Sequence, residues 1–445
     1  MQLPSQHLYC AHLQIQRERM NAALESAGCD AVAIYSGRLQ WQFLDDQAYP
    51  FKVNPHFKSW VPLLDAPESW LLYAPAQRPK LVLYQPRDYW HKAPETPTAP
   101  WTTDFDIEVI REPADAKRFF PFGKRCALIG EITQEIAAWS DAAGNPKALL
   151  DHLHYQRAYK TDYEIACMRV ASRRAARGHL AASNAFNAGA SEYEIHLAYL
   201  HATGHSEEEL PYPNIIALNS NAAVLHYQHL NRTPPQPQAR HSFLIDAGAA
   251  VAGYAADVTR TYSAADDEFA ALILKVHELQ QTLCRQVRAG TSYIDIHLAA
   301  HRLIAHALLD FGVITASPEA ATTSGLSSVF FPHGVGHLLG LQVHDVAGFA
   351  KNTRGDEIPK PQGHPYLRLT RTLEQGFVVT IEPGIYFIDL LLEEAAQTFK
   401  REIVWSKVEQ LKKYGGIRIE DNVVCTTSEP VNLTREEFAA EESPH

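Results

Sequence analysis

The stretch FFPHGVGHLLGLQVHD, residues 330–345, contains three histidines, of which the first two are His333 and His337. A separation of four residues places two zinc-binding histidines on one face of a helix. Here Gly334 and Gly336 interrupt the pair, and glycine is unfavourable inside a helix. We therefore expect a glycine-rich turn in which at most one of the two histidines points at a given metal. Other segments must then supply the remaining ligands.

Aspartates stand at the ends of two strand-like runs. FLIDAGAAVAGYAADVTRTY, residues 243–262, reads as a strand, a glycine-containing loop and a returning strand. Asp246 closes the first apolar run and Asp257 opens the second, although aspartate is depleted in strands. Two such residues can share a face across the ladder. Taken alone, both are equally well explained as turn residues.

Two glutamates extend this set of carboxylates. Glu382 ends the apolar run of VVTIEPGIYF, residues 378–387, just before a Pro-Gly turn. In GGIRIEDNVV, residues 415–424, a period of two puts Arg418 and Glu420 on one face. Taken alone, Glu420 also fits a solvated strand face. Four carboxylates together with one glycine-framed histidine favour a metal centre.

The donor types indicate the ion and the chemistry. Oxygen-rich ligand sets favour hard or borderline ions such as Mn²⁺ or Mg²⁺. Four carboxylates and one imidazole carry enough charge for two divalent ions. Two ions ~3.5–4 Å apart can bridge a water and lower its pKa to about 7, which predicts hydrolysis at a carbonyl or phosphoryl centre. The remaining histidines could donate to the substrate or to a developing oxyanion.

Composition narrows the classes of protein. A chain of 445 residues predicts two domains, and a net charge of −11 argues against nucleic acid or an anionic membrane surface as partner. No run approaches the ~20 apolar residues of a spanning helix, and we expect no secretory signal. The six cysteines are scattered, which suits free thiols in a reducing compartment. We expect a cytoplasmic protein.

We expect a domain boundary near residue 155. Before it, short apolar runs alternate with polar or helical stretches, as in a small α/β domain; the runs are DAVAIYSG, SWLLYAP, KLVLYQP and CALIGEI. After it, three capping signals mark helix starts. The pairs are Thr161 with Glu164, Ser191 with Glu194 and Ser292 with Asp295, and the helices are expected to end at Gly189, Gly204 and Gly312.

The candidate ligands resemble those of a known superfamily. In order and spacing they match the five ligands of the pita-bread metallopeptidases, which include methionine aminopeptidase, aminopeptidase P, creatinase and prolidase. The matching residues are Asp246, Asp257, His337, Glu382 and Glu420. The likeness continues through PYPNIIALNSNAAVLHYQH, TIEPGIY and GIRIEDN, and into the N-terminal part at FLDDQAYPFKVNPHFKSWVP and RDYWHK. The chain is most similar to the bacterial Xaa-Pro dipeptidases (prolidases of the PepQ type, family M24B), which are related to organophosphorus acid anhydrolases.

This resemblance implies an α+β fold with two domains. A smaller creatinase-type α/β domain, residues 1–155, would make dimer contacts and lie over the site. A pita-bread catalytic domain, residues 156–445, would follow it. The implied activity is cleavage of Xaa-Pro dipeptides by a metal-bridging hydroxide in a homodimer, with organophosphate triesters as a side activity. The implied cofactor is a pair of divalent ions, Mn²⁺ first, with Co²⁺ or Zn²⁺ as alternatives.

The same resemblance implies roles for single residues. Of the histidines at 333 and 337, His337 is the ligand and His333 lies by the substrate. Glu382 is also a general base or proton shuttle, and Asp246 and Glu420 bridge the ions. Arg418 supports a ligand or the substrate carboxylate, which a guanidinium can bind in a bidentate way.

Further residues are implied as substrate contacts. His344 and His226 contact the carbonyl or carboxylate region of the substrate. The pocket walls are Tyr212, Leu225 and Val343, with Leu367 from the Pro- and Gly-rich loop at 350–377, and Asp45 reaches the partner subunit's site. Three of them have a plainer explanation. Tyr212 fits a loop aromatic, and His226 fits a hydrogen-bonded histidine of an apolar strand. In place of Asp45, the adjacent Asp46 could be the residue that points inward.

Three other functions compete with the dipeptidase. An Xaa-Pro aminopeptidase (aminopeptidase P) performs the same chemistry on longer peptides. The bridging hydroxide could also attack phosphorus, as in an organophosphate triesterase. A non-catalytic binding protein on the same fold is the third alternative, and the presence of all five ligands argues against it.

Overall fold

The computed structural model describes residues 4–92, 94–121, 125–139 and 143–442. The chain forms two compact units. The first comprises Met1–Arg157, Thr161–Cys167 and Ala350–Glu357, and the second comprises Ala158–Lys160, Met168–Phe349 and Ile358–His445. Among the described residues, no helix is long and apolar enough to cross a membrane.

The first unit contains a mixed sheet with the strand order β4-β3-β2-β1-β5-β6. Its strands are β1 (Ala31–Tyr35), β2 (Trp70–Tyr73), β3 (Lys80–Tyr84), β4 (Asp106–Ile110), β5 (Cys126–Ile129) and β6 (Ala143–Gly144). β1 pairs antiparallel with β2 and parallel with β5, and β3 pairs parallel with β4. The helices are α1 (Gln6–Ala27), α2 (Pro55–Lys58), α3 (Gln134–Ala137) and α4 (Lys147–Arg157).

The four apolar runs predicted in this unit are strands. They correspond to β1, β2, β3 and β5, each of which has at least three consecutive buried residues. β4 was not predicted from the sequence. It lies at the edge of the sheet and only Ile110 is buried, so the segment DIEVI carries little of the apolar signal that marks a central strand.

The second unit combines short, antiparallel sheets. Its strands are β7 (Ile215–Leu218), β8 (Ser242–Asp246), β9 (Ala249–Val251), β10 (Tyr254–Ala256), β11 (Thr259–Ser263), β12 (Val378–Ile381), β13 (Gly384–Tyr386), β14 (Gly416–Arg418), β15 (Asp421–Val424) and β16 (Val431–Asn432). They form the sheets β11-β8-β7, β10-β9, β12-β15-β16 and β13-β14. A bridge between Thr259 and Glu420 joins the segments that contain the candidate ligands.

The remaining helices range from five residues in α10 to 26 residues in α5. They are α5 (Asp162–Asn187), α6 (Glu192–Thr203), α7 (Glu268–Cys284), α8 (Tyr293–Asp310), α9 (Pro318–Thr323), α10 (Leu326–Phe330), α11 (Asp389–Thr398), α12 (Trp405–Leu411) and α13 (Leu433–Glu442). The three predicted starts are confirmed, because each cap side chain accepts the expected backbone N–H. Helices beside mainly antiparallel sheets confirm the α+β class for this unit.

Candidate metal centre

The aspartates Asp246 and Asp257 stand on one hairpin. Asp246 is the last residue of β8 and pairs with Thr259 of β11. Asp257 lies between β10 and β11, so the expected loop between the two strands is itself the small hairpin β9-β10. At Gly248 a Cβ would overlap the Ala256 carbonyl and the Tyr212 ring. Gly248 therefore lets the chain after β8 pass close to Ala256 and Tyr212, next to Asp246 and Asp257.

His337 follows an extended glycine turn rather than lying on a helix. α10 ends at Phe330, and Gly336 has φ +151°. A side chain at Gly336 would overlap the Thr380 carbonyl and the Tyr293 hydroxyl. The neighbouring His337 exchanges hydrogen bonds with Thr380 of β12, at 2.9 and 3.1 Å. Backbone contact with β12 thus fixes where the imidazole points.

The tautomer of His337 suits a metal ligand. Its Nδ1 lies 2.9 Å from the Leu338 carbonyl oxygen, so Nδ1 carries the proton and donates it. Nε2 lies 3.4 Å from Asp257 Oδ2 and 3.6 Å from Glu382 Oε1. Despite burial, the hydrogen bond to Asp257 raises the pKa of His337, so Nε2 carries a proton unless a metal ion takes its place. Backbone-held Nδ1–H groups are the usual support of metal-binding histidines.

The glutamates Glu382 and Glu420 approach His337 and Asp257 from the ends of strands in the sheets β12-β15-β16 and β13-β14. Glu382 directly follows β12, and its backbone N–H donates to the Val335 carbonyl at 2.8 Å. Glu420 lies between β14 and β15, and its Oε2 accepts from Thr259 Oγ1 at 2.6 Å. One atom each of Asp257, His337 and Glu420 lies within 4.8 Å of the others, and all three residues are buried.

The centre has an excess of buried negative charge. Burial, followed by the charges of neighbouring carboxylates, raises the pKa of Glu382 to about 7 and that of Glu420 well above its ordinary value. Burial also raises the pKa of Asp246. Arg418 offsets only one of four carboxylate charges. Two divalent cations would neutralise the rest, so the donor set fits a pair of hard or borderline ions.

A hydrogen-bonded chain supports the ligands, and it includes Tyr386, which the sequence analysis did not single out. Arg418 donates to Asp246 Oδ2 at 2.7 Å and to Tyr386 Oη at 2.9 Å. Since His333 Nδ1–H donates to the Gly334 carbonyl, its Nε2 accepts the Tyr386 hydroxyl proton at 2.8 Å. Both nitrogens of His333 therefore have protein partners. The strand period in GIYF, which turns Tyr386 towards Arg418 of the paired strand β14, was the available signal.

Tyr212 connects two of the candidate ligands. Its Oη lies 2.8 Å from Asp246 Oδ1 and 2.5 Å from Asp257 Oδ1. One hydroxyl proton serves two carboxylates, which fixes the distance between them. The plainer explanation, a loop aromatic, does not describe these contacts.

The other predicted substrate residues lie in different settings. His344 is exposed, and its ring centroid is 4.5 Å from that of His337. His226 is exposed in a turn, so the strand expected around it is wrong.

The expected wall residues also differ in exposure. Leu225 and Val343 are half-buried. Leu367 is 1% exposed and belongs to the main core of the second unit, with its backbone against Gly334. Asp45 belongs to the first unit, where it accepts the Gln47 N–H in an exposed turn. The loop at 350–377 has no helix or strand, as expected.

Comparisons with known proteins decide the family. A model described as the N-terminal domain of Xaa-Pro dipeptidases matches residues 7–155. A model of metallopeptidase family M24 matches residues 166–427. The chain belongs to metallopeptidase family M24. The resemblance inferred from the ligand motifs is confirmed, as is the pita-bread fold.

Relatives of this M24 chain match it over nearly its whole length. An Xaa-Pro dipeptidase of Xanthomonas campestris pv. campestris (strain 8004) is 53% identical over 436 residues, 97% of this chain and 98% of the relative. One of Stenotrophomonas maltophilia (strain K279a) is 50% identical over the same shares.

Solved structures of aminopeptidase P have the same fold. The low-pH form of the Escherichia coli enzyme has a TM-score of 0.72 at 23% identity, covering 97% of this chain and 99% of that one. The zinc-substituted enzyme with product has a TM-score of 0.71 at 21% identity, over 96% and 99%. Membership in a metallopeptidase family implies divalent metal ions.

Proposed function

We propose that this M24 peptidase is an Xaa-Pro dipeptidase with two divalent ions, cleaving the dipeptide to a free amino acid and proline. The observation that carries the proposal is the 50–53% identity to Xaa-Pro dipeptidases over 97% of the chain. The convergence of five donor residues in the second unit supports the dinuclear chemistry. Residues 1–155 and 156–445 are the proposed domains, and a cytoplasmic homodimer is the proposed state.

The ions would be held by Asp246, Asp257, His337, Glu382 and Glu420. When bound, two divalent ions supply a water of lowered pKa and polarise the substrate carbonyl. The carboxylate-rich donor set favours Mn²⁺, with Co²⁺ and Zn²⁺ as alternatives. Arg418 and Tyr212 keep two of the carboxylates in place, so the ligands are pre-positioned before any ion binds.

The protein groups then manage protons and charge. Glu382 takes a proton from the attacking water and carries it to the departing proline nitrogen, because its carboxylate lies at the end of β12 beside His337. His344 and His226, both exposed, contact the substrate carbonyl and carboxylate. His333 acts through Tyr386, whose hydroxyl it orients. The wall is formed by Tyr212, Leu225, Val343 and Leu367, and Asp45 is assigned to the partner subunit's site.

The test is proline release from Leu-Pro by metal-stripped protein before and after Mn²⁺ is added, with Leu-Pro-Gly alongside. We expect metal-dependent cleavage of the dipeptide alone. Glu382→Gln should lower kcat about 100-fold or more, since a positioned acid–base group contributes that much. Glu393→Gln, an exposed helix position, is the matched control and should keep wild-type activity. No cleavage of Leu-Pro despite bound Mn²⁺ would refute the proposal.

The fold neighbours favour one second candidate. They are aminopeptidase P enzymes, and cleavage of Leu-Pro-Gly at a rate similar to Leu-Pro would move the assignment to an Xaa-Pro aminopeptidase. Slow hydrolysis of an organophosphate triester is proposed only as a side activity of the same centre. A non-catalytic binding protein on the same fold would neither bind nor require a metal ion. Metal analysis of the purified chain tests this alternative.

A further inference from the structure

Three histidines form a second group of metal donors in the second unit. His297 and His301 are one turn apart on α8 and are each 1% exposed. His364 lies in the loop at 350–377 and is half-buried. One ring nitrogen of each lies within 4.8 Å of the others, and the three ring centroids are 4.6–4.7 Å apart. None of these residues belongs to the carboxylate centre.

His301 has the orientation of a ligand. Its Nδ1 lies 2.9 Å from Ser327 Oγ, so the hydroxyl can accept the Nδ1 proton. Its Nε2 is buried, with no hydrogen-bond partner among the described residues. A buried polar atom without a partner is costly, and a ring held through one nitrogen while the other is left open is the arrangement found around bound metals. A cation among the three rings would satisfy this nitrogen.

His297 and His364 face each other. His297 Nε2 and His364 Nδ1 are 2.9 Å apart, and imidazole nitrogens on a tetrahedral zinc with bonds of about 2.0–2.1 Å stand about 3.3 Å apart. A small separation of the two rings would therefore admit the ion. The Val335 N–H lies 3.3 Å from His297 Nδ1. Ligation through Nε2 replaces the hydrogen bond to His364, and it moves the proton to Nδ1, so the long hydrogen bond from Val335 is also given up.

The three rings are neutral at physiological pH. Burial, followed by the neighbouring histidines, lowers the pKa of His297 to about 2 and that of His301 to about 3. Burial also lowers the pKa of His364. Neutral imidazole is the form that binds metal ions, so near pH 7 protons do not compete with an ion for these nitrogens.

We propose that His297, His301 and His364 bind one Zn²⁺ ion, with water as the fourth ligand, separately from the carboxylate centre. Imidazole donors suit Zn²⁺, whereas the carboxylates suit Mn²⁺, so one chain would bind two kinds of ion. The zinc would tie the loop containing Leu367 to α8. Because that loop lies against Gly334, the ion would stiffen the backbone next to His333.

The test is calorimetric titration of Zn²⁺ into the full chain whose carboxylate centre is saturated with Mn²⁺. We expect one additional zinc per chain. His364→Ala, at a half-buried loop position that should tolerate truncation, should weaken this binding at least about 30-fold. His306→Ala removes an exposed histidine of the same helix and should bind zinc like the wild type. X-ray absorption of the zinc should show three imidazole rings.

Two results would overturn the inference. One is zinc uptake matched by an equal release of Mn²⁺, as measured by the electron paramagnetic resonance signal of the free Mn²⁺. This result would place the zinc in the carboxylate centre. The other is unchanged zinc affinity in His364→Ala. Neither readout depends on peptidase activity, so this site stands or falls separately from the proposed reaction.

Discussion

At the scale of single residues, Tyr386 connects two groups with different tasks. Its hydroxyl accepts a hydrogen bond from Arg418, which also donates to Asp246, and donates a hydrogen bond to His333. Burial raises the pKa of this phenol above its ordinary value, so the hydroxyl stays protonated. The direction of these hydrogen bonds follows from the Nδ1–H of His333. A single oxygen thus connects the Arg418 guanidinium to the His333 ring.

Tyr386→Phe should lower kcat/KM for Leu-Pro about 10- to 100-fold. Hydrogen bonds to charged groups contribute about 1.5–3 kcal/mol, and each 1.4 kcal/mol is a factor of ten. The ring packing is kept, so the melting temperature should change little. Tyr366→Phe, at a position 67% exposed, is the matched control. Unchanged kcat/KM in Tyr386→Phe would show that the hydrogen bonds of Tyr386 to Arg418 and His333 have no part in catalysis.

At the scale of elements, the turn that contains His337 depends on Gly336. The turn passes so close to β12 that no side chain fits, and its φ of +151° is one that other residues rarely adopt. The sequence pattern H-G-x-G-H predicted a turn. It did not show that the turn is pressed against a strand more than forty residues later in the chain.

Gly336→Ala should destabilise the second unit by about 3 kcal/mol or more, because overlap with backbone adds to the cost of the unusual φ. Gly312→Ala separates the two effects. Gly312 also has a positive φ, +65°, but nothing lies within 4 Å of its missing Cβ, so its cost should be about 1 kcal/mol. Urea unfolding of both variants measures the difference. Equal losses would rule out the close approach as the reason for glycine.

A buried ion pair fixes the segment that presents His344. Lys160 Nζ lies 3.3 Å from Asp345 Oδ2, and both side chains are 1% exposed. The Asp345 N–H closes the turn by donating to the Leu338 carbonyl at 2.9 Å. Sequence reading gave no sign of this pair, since its members are 185 positions apart.

Lys160→Met should destabilise the unit by about 3 kcal/mol or more, since it leaves a buried carboxylate without its cation. The double variant Lys160→Met with Asp345→Asn should regain part of this stability, because the amide carries no charge. KM for Leu-Pro should rise more than kcat falls in the single variant, as His344 loses its position. A double variant no more stable than the single one would contradict this account.

At the scale of the whole molecule, buried histidines make stability depend on pH. His179 on α5 is fully buried, its Nε2–H donates to the Ala247 carbonyl at 2.9 Å, and burial lowers its pKa to about 3. The unfolded chain takes up a proton below its ordinary pKa of about 6.5, and the folded chain does not until about pH 3. The stability that this neutral ring contributes is therefore complete above about pH 6.5, and it is lost as the pH falls from about 6.5 to about 3.

His179→Gln keeps a donor for Ala247 and removes the titration. Between pH 6 and pH 5, the free energy of unfolding of the wild type should fall about 1.2 kcal/mol more than that of the variant. Urea unfolding at both pH values measures this difference. His306→Gln, an exposed position on α8, should follow the wild type. Equal slopes in His179→Gln and wild type would mean that the buried ring is protonated.

Local patterns in the sequence determined the elements and the donor types of this protein. Capping residues, apolar runs and glycines act within a few positions of themselves, so the helix starts, the strands β1, β2, β3 and β5 and the turn before His337 could be predicted. The edge strand β4 could not, because it buries too little apolar surface. The resemblance of the motifs to M24 peptidases predicted the family, which is confirmed, and the five donor residues, which stay a prediction.

Only the tertiary structure decided which side chains meet. The contacts of Tyr212 with two aspartates, of Tyr386 with Arg418 and His333, of Lys160 with Asp345, and among the three histidines of α8 and its loop all join distant positions. Their distances depend on how strands and helices pack, and packing responds to burial and charge over the whole unit. Sequence spacing carries no record of these distances, which is why the donors and Arg418 could be named in advance, whereas the contacts made by Tyr386 and by the Tyr212 hydroxyl could not.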